Sequence, residues 1–438
     1  MAPALPDGMK AIDEELAARA AAGQPIRVAL VGAGVTGRTI ALQLLTPVPG
    51  IRLAAVINRT LSRAEQAWQQ GGDIQPTPVH DGRALDEAVR RGMPAMAEDP
   101  AALFDAESID VVVEATGTVE FGADVVQRSI ASGKHVVLVN AELDSTLGPL
   151  LRARAGQAGV VYTNTDGDEP GVAMTLLRYL RSLGLRPVAA GNLKGMIDHY
   201  RTPDTQRAFA EKYGQDPRKV TSFADATKLS MEATVLANAT GFRAGKRGMF
   251  GPACAHVNEI ATLLPSDLML GEGLVDFALG AAPHTGAFVV VHEPNPAKQA
   301  QLGYYKMGDG PFYVFHTPYH LPHIQIASTI GRAALAGDAT VAPLGRPVCE
   351  VVTVAKRDLG AGEQLDGVGG FTAYGLIENA PTARREDALP MGLSEGCRLV
   401  RPVARDTLIR FADVERPAGR LADKLWDEQA ARWGPEGA

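Results

Sequence analysis

The chain has 438 residues, enough for two or three domains with separate cores, and its 46% apolar and 21% charged residues are those of an ordinary soluble globular protein. A net charge of −7 without a basic stripe argues against a nucleic-acid partner, and no apolar run reaches the length of a membrane span. Cys254, Cys349 and Cys397 lie far apart and form no metal or redox pair by spacing, so they read as small buried hydrophobes in a reducing cytoplasm.

Residues 1–25 are Ala-rich and charged, lack the pattern of a signal peptide, and predict a short amphipathic leader helix. Residues 26–165 then alternate strand and helix. Apolar runs at 27–31, 53–57, 109–114, 135–139 and 159–163 suit parallel strands buried on both faces. Between the second and third lies a Gly-, Pro- and Asp-rich excursion, 71–100, carrying a helix over Gly82–Arg91.

The first strand runs into Val28-Ala-Leu-Val-Gly-Ala-Gly-Val-Thr-Gly37. Gly32, Gly34 and Gly37 have the G-x-G-x-x-G spacing, and Ile40, Leu42, Leu44 and Leu45 continue as a helix. The first glycine permits the turn, the second lets a pyrophosphate approach the backbone, and the third lets helix pack on strand. Gly32, Gly34, Val35, Thr36 and Gly37 are the expected dinucleotide cradle. At the end of the second strand, Ile57-Asn58-Arg59-Thr60 lacks the carboxylate that grips a ribose 2′-hydroxyl. Asn58 and Thr60 can hydrogen-bond ribose or phosphate, and Arg59 can pair with a 2′-phosphate, which favours NADPH over NADH. A solvated Arg59 and dual specificity remain the alternative.

The third strand ends in Glu114-Ala115-Thr116-Gly117-Thr118, small residues against which the nicotinamide half can lie, and the next ends in Asn140-Ala-Glu142. The fifth ends in Thr163-Asn-Thr-Asp-Gly-Asp-Glu-Pro-Gly171. Asp166, Asp168 and Glu169 either cap the helix that starts near Pro170 or bind substrate hydroxyls or a divalent cation.

Residues 166–342 read as an α+β substrate domain. Helices are expected at Val172–Leu183, 205–213, 224–239 and 324–336, with strands at Val188–Met196 and Val289–Glu293. Lys194, inside an apolar strand, needs a partner if buried; beside a nicotinamide it can polarise a carbonyl and supply a proton. Lys228 can do the same, or pair on a helix surface with Glu232 four residues on. Arg243, Lys246 and Arg247 lie in a Gly-rich loop suited to an anionic, phosphate-bearing substrate, unless that loop is merely solvated. Lys306, His320 and His323 stand in aromatic runs able to hydrogen-bond a polyol or to form a capped core. Residues 343–417 show short β runs between Gly and Pro turns, a compact β module, and 418–438 an amphipathic helix with Leu421, Leu425 and Trp426.

Gly-Ala-Gly-Val-Thr-Gly, Glu-Ala-Thr-Gly-Thr and the helical second domain resemble the homoserine dehydrogenase superfamily. Val354-Ala-Lys-Arg-Asp-Leu-Gly-Ala-Gly-Glu363 and Leu389-Pro-Met-Gly-Leu393 look like a SAF domain, the β-clip module that ends one long branch of it. That branch includes the deoxyxylulose-phosphate reductoisomerase-like (DRL) enzymes of isoprenoid biosynthesis. The resemblance implies a Rossmann-type doubly wound parallel sheet, an α+β substrate domain and a small SAF module. It also implies NADPH-dependent conversion of 1-deoxy-D-xylulose 5-phosphate to 2-C-methyl-D-erythritol 4-phosphate, with Arg243, Lys246 and Arg247 at the phosphate. Two departures from homoserine dehydrogenase argue against plain homoserine oxidation: no lysine follows Asn140, and Gly167-Asp-Glu-Pro-Gly171 carries carboxylates. The expected protein is thus a cytoplasmic, homo-oligomeric oxidoreductase for a small anionic substrate. The rivals are a homoserine or hydroxy-acid dehydrogenase and a non-catalytic NADP(H) sensor.

Overall fold

In the computed structural model, residues 11–46 and 48–434 are described. The apolar runs of the first 165 residues become β1 (Ile26–Val31), β2 (Ile51–Ile57), β5 (Val111–Glu114), β6 (His135–Leu138) and β7 (Tyr162–Asn164). The excursion adds β3 (Thr77–Pro78) and β4 (Ala95–Ala97), giving one parallel sheet in the order β3-β4-β2-β1-β5-β6-β7. Strands of two and three residues leave no periodic signal, so composition alone reads them as loop. The intervening helix, Gly82–Arg90, forms as expected, with Asp81 Oδ1 accepting from Ala84 N at 2.7 Å.

Strand order reverses direction between β1 and β5, which opens a crevice at the carboxyl ends of the strands. Both sheet faces are covered. The Val35–Leu45 and Ile326–Ala336 helices pack over β1 and β5 on one side. The described part of the leader, helix Ile12–Ala21, packs on the Ile326–Ala336 helix; residues 1–10 of that expected element lie outside the described residues.

A second, mixed sheet holds β8 (Arg186–Lys194), β9 (Arg243–Ala244), β10 (Leu274–Leu279), β11 (Ala287–His292) and β12 (Phe312–Thr317), ordered β12-β11-β8-β10-β9. Ala190, Val275, Phe277, Val289 and Val291 face the Glu169–Ser182 and Thr227–Thr240 helices. The opposite face is closed by Val257, Ile260, Leu264 and Met269.

Beyond residue 343, β13 (Cys349–Ala355) and β14 (Ala373–Asn379) pair antiparallel, and shorter bridges tie the remaining turns. This β unit packs on the Thr227–Thr240 helix through Val351, Ala373 and Met391 against Met231, Val235 and Ala239. The last helix, Leu421–Arg432, docks on the first sheet's helices. Glu120 accepts from Leu421 N and Ala422 N at 2.7 and 2.8 Å, and Gln429 joins Leu150 N to Thr146 O. Residues 435–438 of that expected segment lie outside the described residues. All three cysteines are free thiols, two of them buried. Among the described residues no helix is long and apolar enough to cross a membrane.

Candidate active site

The three glycines of the β1 turn divide the work by geometry. Gly32 has φ +101°, and a Cβ on it would lie 2.9 Å from the carbonyl carbon and oxygen of Ala115. A Cβ on Gly37 would stand 1.9 Å from Gly32 O, so only glycine lets that helix approach its strand. A Cβ on Gly34 would meet nothing within 4 Å. That open space lies over the first turn of the Val35–Leu45 helix, where Val35 and Thr36 are half-buried and no side chain caps the free N–H groups. The residues therefore fit a dinucleotide pyrophosphate. Gly34→Ala should fold with unchanged melting temperature yet weaken binding of a reduced nicotinamide dinucleotide about tenfold, because only the ligand meets the new methyl; a fluorescence titration beside a thermal melt checks both.

Asn58 has a structural task. Its Oδ1 accepts from Ala33 N at 3.0 Å and its Nδ2 donates to Thr60 O at 2.9 Å, so its side chain shapes the turn and keeps one amide hydrogen uncommitted. Arg59 and Thr60 are exposed beside it, and Arg59 has no ion-pair partner among the described residues. Asn140 departs further from expectation. It is buried, accepts from Leu143 N at 3.0 Å as the cap of the Ala141–Ala158 helix, and donates to Glu114 Oε2 and Thr118 O at 2.8 and 2.9 Å. Both amide hydrogens of this buried side chain are committed to that network. Glu114, whose carboxyl burial pushes up, also accepts from Thr116 N at 2.9 Å and from the Thr116 hydroxyl. This network sets the Ala115–Gly117 turn against Gly32.

The charged cluster forms where the two sheets meet. Asp168 and Glu169 follow β7, Lys194 ends β8, and Lys228 and Glu232 come from the Thr227–Thr240 helix. Lys194 Nζ donates to Glu169 Oε1 at 2.8 Å and to Glu232 Oε2 at 3.2 Å, and Asn192 Nδ2 donates to Glu232 Oε2 at 2.9 Å. The Lys194 side chain is 18% exposed, against 7% for Glu169 and 4% for Glu232. Lys228 does not pair with Glu232 on a surface. It is largely buried and reaches Glu142 Oε2 at 3.2 Å, just past the end of β6. His320 Nε2 lies 3.7 Å from Glu169 Oε2, with its Nδ1 3.0 Å from Thr285 Oγ1. It gets there because Gly167 lets Leu321 pack directly on the turn; a Cβ on that glycine would be 2.4 Å from Leu321 O.

Electrostatics separates these groups. Burial, then repulsion from Glu169 and Glu232, raises the Asp168 carboxyl to about 8. Burial disfavours the Glu169 carboxylate too, but Lys194 and His320 outweigh it and hold its pKa far below the usual range. Burial and Glu169 raise Glu232 to about 7. Both lysines resist burial because of their carboxylates and stay above an ordinary lysine. At neutral pH the site therefore holds two fixed ammonium groups and a half-buried carboxylic acid, Asp168.

Other expected members lie elsewhere. Asp166 is structural: it accepts from Ser328 Oγ at 2.9 Å and from the Thr340 hydroxyl, and lies 3.5 Å from Arg332, seating the Ile326–Ala336 helix. Arg243 pairs in register with Leu274 at the start of β10, whereas Lys194 pairs with Leu279 at its end, roughly 16 Å along the strand. Arg243 is bound to Glu272, and Arg247 to Glu378 and Glu386. Lys246 lies 5.2 Å over the Phe250 ring. This basic loop thus joins the second sheet to the C-terminal β unit. Lys306 precedes the Phe312 end of β12, opposite the Thr317 end that borders Ala287 and Asn192. Glu142, Glu232 and Asn192 complete the cluster. The only sign of them in the sequence was that lysines placed in apolar segments need partners.

Residues 167–326 match the family model for the catalytic domain of oxidoreductase DRL, and residues 32–164 match the NAD binding domain of homoserine dehydrogenase. The chain is an oxidoreductase that joins a homoserine-dehydrogenase-like NAD binding domain to a DRL-type catalytic domain. No curated protein matches it. Solved structures similar to this chain include GenD2 from gentamicin A biosynthesis in complex with NAD, at 15% identity and TM-score 0.36, covering 72% of this chain and 87% of that one. Another is myo-inositol 2-dehydrogenase from Lactobacillus plantarum, at 14% identity and TM-score 0.34, covering 62% and 75%. The matched NAD binding domain, which begins at Gly32, gives the enzyme a nicotinamide cofactor.

Proposed function

We propose that the enzyme uses NADPH to reduce the carbonyl of a small, phosphorylated polyhydroxy substrate. The best single candidate is 1-deoxy-D-xylulose 5-phosphate: its skeleton first rearranges to a branched aldehyde phosphate, one C–C bond breaking as another forms, and the hydride then reduces that aldehyde to 2-C-methyl-D-erythritol 4-phosphate. The observation that carries the reading is the Lys194 ammonium, held by Glu169 and Glu232 beside the raised Asp168 carboxyl, at the carboxyl ends of β6, β7 and β8. NADPH, when bound, supplies the hydride. As the carbonyl oxygen gains charge, Lys194 stabilises it, and Asp168 is the group with a proton to give. Lys194 holds its own proton too firmly to be the donor. The exposed, unpaired Arg59 supports NADPH over NADH.

A divalent cation with oxygen ligands would take Asp168, Glu169 and Glu232, whose carboxylate oxygens lie within 4.8 Å of one another. The Lys194 ammonium spans two of these three, so ion and ammonium would compete for them. The chain divides at 26–165, 166–342 and 343–417, the last a SAF-like module on the strength of its bridged short strands. The assembly is a homo-oligomer, with a dimer as the default for a symmetric enzyme of this size, in a reducing cytoplasm.

Incubating purified protein with NADPH and deoxyxylulose phosphate should give cofactor oxidation and the branched polyol phosphate. Turnover of homoserine or a free hydroxy acid instead would overturn the substrate. Cofactor binding without turnover of any carbonyl would make the protein a sensor. If Asp168 is the proton donor, the reduction rate falls as pH rises through about 8, because the raised carboxyl is protonated only below that value. Asp168→Asn should be slower by about 100-fold and lose that limb; an unchanged pH profile would remove Asp168 from the role.

A further inference from the structure

A phosphate brought to the crevice by substrate or cofactor carries more negative charge than the helix N–H groups offset, and the loop of Arg243 and Arg247 lies at the wrong end of the second sheet with both guanidinium groups paired. Another cation is in place. The Pro217–Ala224 helix carries Lys219 over the turn that ends β5, so that Lys219 Nζ lies 3.6 Å from where a Cβ on Gly117 would be, and its Cε 3.8 Å. Gly117, at φ +67°, has no side chain to fill that space. The same turn abuts the dinucleotide cradle, since a Cβ on Gly32 would be 3.1 Å from Thr116 N. Thr116 and Thr118 place their hydroxyls 3.2 Å apart beside it.

Lys219 is exposed and has no carboxylate partner among the described residues, unlike Lys194 and Lys228 in the cluster below. Its backbone is nonetheless fixed. Asp216 caps the helix by accepting from Arg218 N at 2.8 Å, and the Arg218 guanidinium donates to the carbonyls of Asp366 and Val368. Gly369, in the loop joining β13 and β14, packs so closely on Arg218 O that a Cβ there would be 2.0 Å away. The C-terminal β unit therefore holds this helix against the crevice.

We propose that Lys219 is the cation that binds a phosphoryl oxygen in the crevice, brought by either the dinucleotide or the substrate. The inference rests on the NADPH and phosphate reading above. Lys219→Ala and Lys219→Arg decide it; the side chain is exposed, so both variants should keep the wild-type melting temperature. NADPH affinity would be read by fluorescence, and inorganic phosphate affinity by calorimetry on protein with and without NADPH. If the dinucleotide is the source, Lys219→Ala raises the NADPH Kd about tenfold and Lys219→Arg recovers most of it. If the substrate is the source, NADPH affinity is unchanged, phosphate binding to the NADPH-loaded protein is lost in Lys219→Ala but kept in Lys219→Arg, and the KM for deoxyxylulose phosphate rises about tenfold. NADPH and phosphate affinities both within twofold of wild type in Lys219→Ala would overturn the proposal. Failure of the wild type to bind NADPH would instead overturn the reductase reading, and the cofactor-free phosphate titration then decides on Lys219 alone.

Discussion

Lys194→Ala should abolish most turnover and also destabilise the fold, by about 3–5 kcal/mol, because it leaves Glu169 and Glu232 buried without their shared cation. The expected loss in turnover is about 100- to 1000-fold, that of removing a preorganised charge from a developing oxyanion. Acid should relieve the stability loss. Without the ammonium, both carboxyls become easier to protonate in the folded chain than in the unfolded one. The deficit is then largest at high pH, where both are charged, and shrinks as pH falls. Denaturant titrations near neutrality and near pH 5 would show it. A deficit independent of pH would mean that packing, not charge, is what Lys194 supplies. Affinity for the nicotinamide cofactor should hold, since the glycine turn lies on the other sheet.

Lys356→Met should cost about as much, although Lys356 is no member of the charged cluster, with a loss of about 3–5 kcal/mol by urea titration. Lys356 Nζ donates at 2.8 Å to each of Asp225 Oδ2, Arg201 O and Gly370 O, and both charged side chains are almost wholly buried. The substitution strands one carboxylate and two carbonyls. Asp225→Asn made together with Lys356→Met should recover part of the loss, because the buried charge goes with its partner. Turnover should fall too. Asp225 Oδ1 accepts from Thr227 N at 2.9 Å, and Thr227 is the residue before Lys228, so the C-terminal unit fixes the start of the helix that carries two site residues. Normal stability in the single variant would show that the pair is dispensable.

The two halves of the site were legible to different degrees. The glycine turn is local: its three positions act within six residues, and their spacing alone states which must be bare. Asp168 and Glu169 were visible because carboxylates at a strand end are costly without a purpose. Lys194 was visible as a charge in an apolar strand, but its partners were not, since Glu232 lies 38 residues away and Glu142 lies 86 residues from Lys228. Asn140 and Asn58 have the right residue type for a ligand contact, yet their hydrogen bonds go to Leu143, Glu114, Ala33 and Thr60.

Composition, hydrophobic periodicity and the Gly32–Gly37 spacing by themselves determined a parallel α/β sheet with a dinucleotide cradle at the end of β1, because burial on both faces and backbone approach are properties of short segments. Only the tertiary structure decided which charges meet. An ion pair between segments depends on where strands end and how helices cross. The same lysines and arginines could therefore have served substrate or scaffold until Lys194 was placed between Glu169 and Glu232, and Arg247 against Glu378.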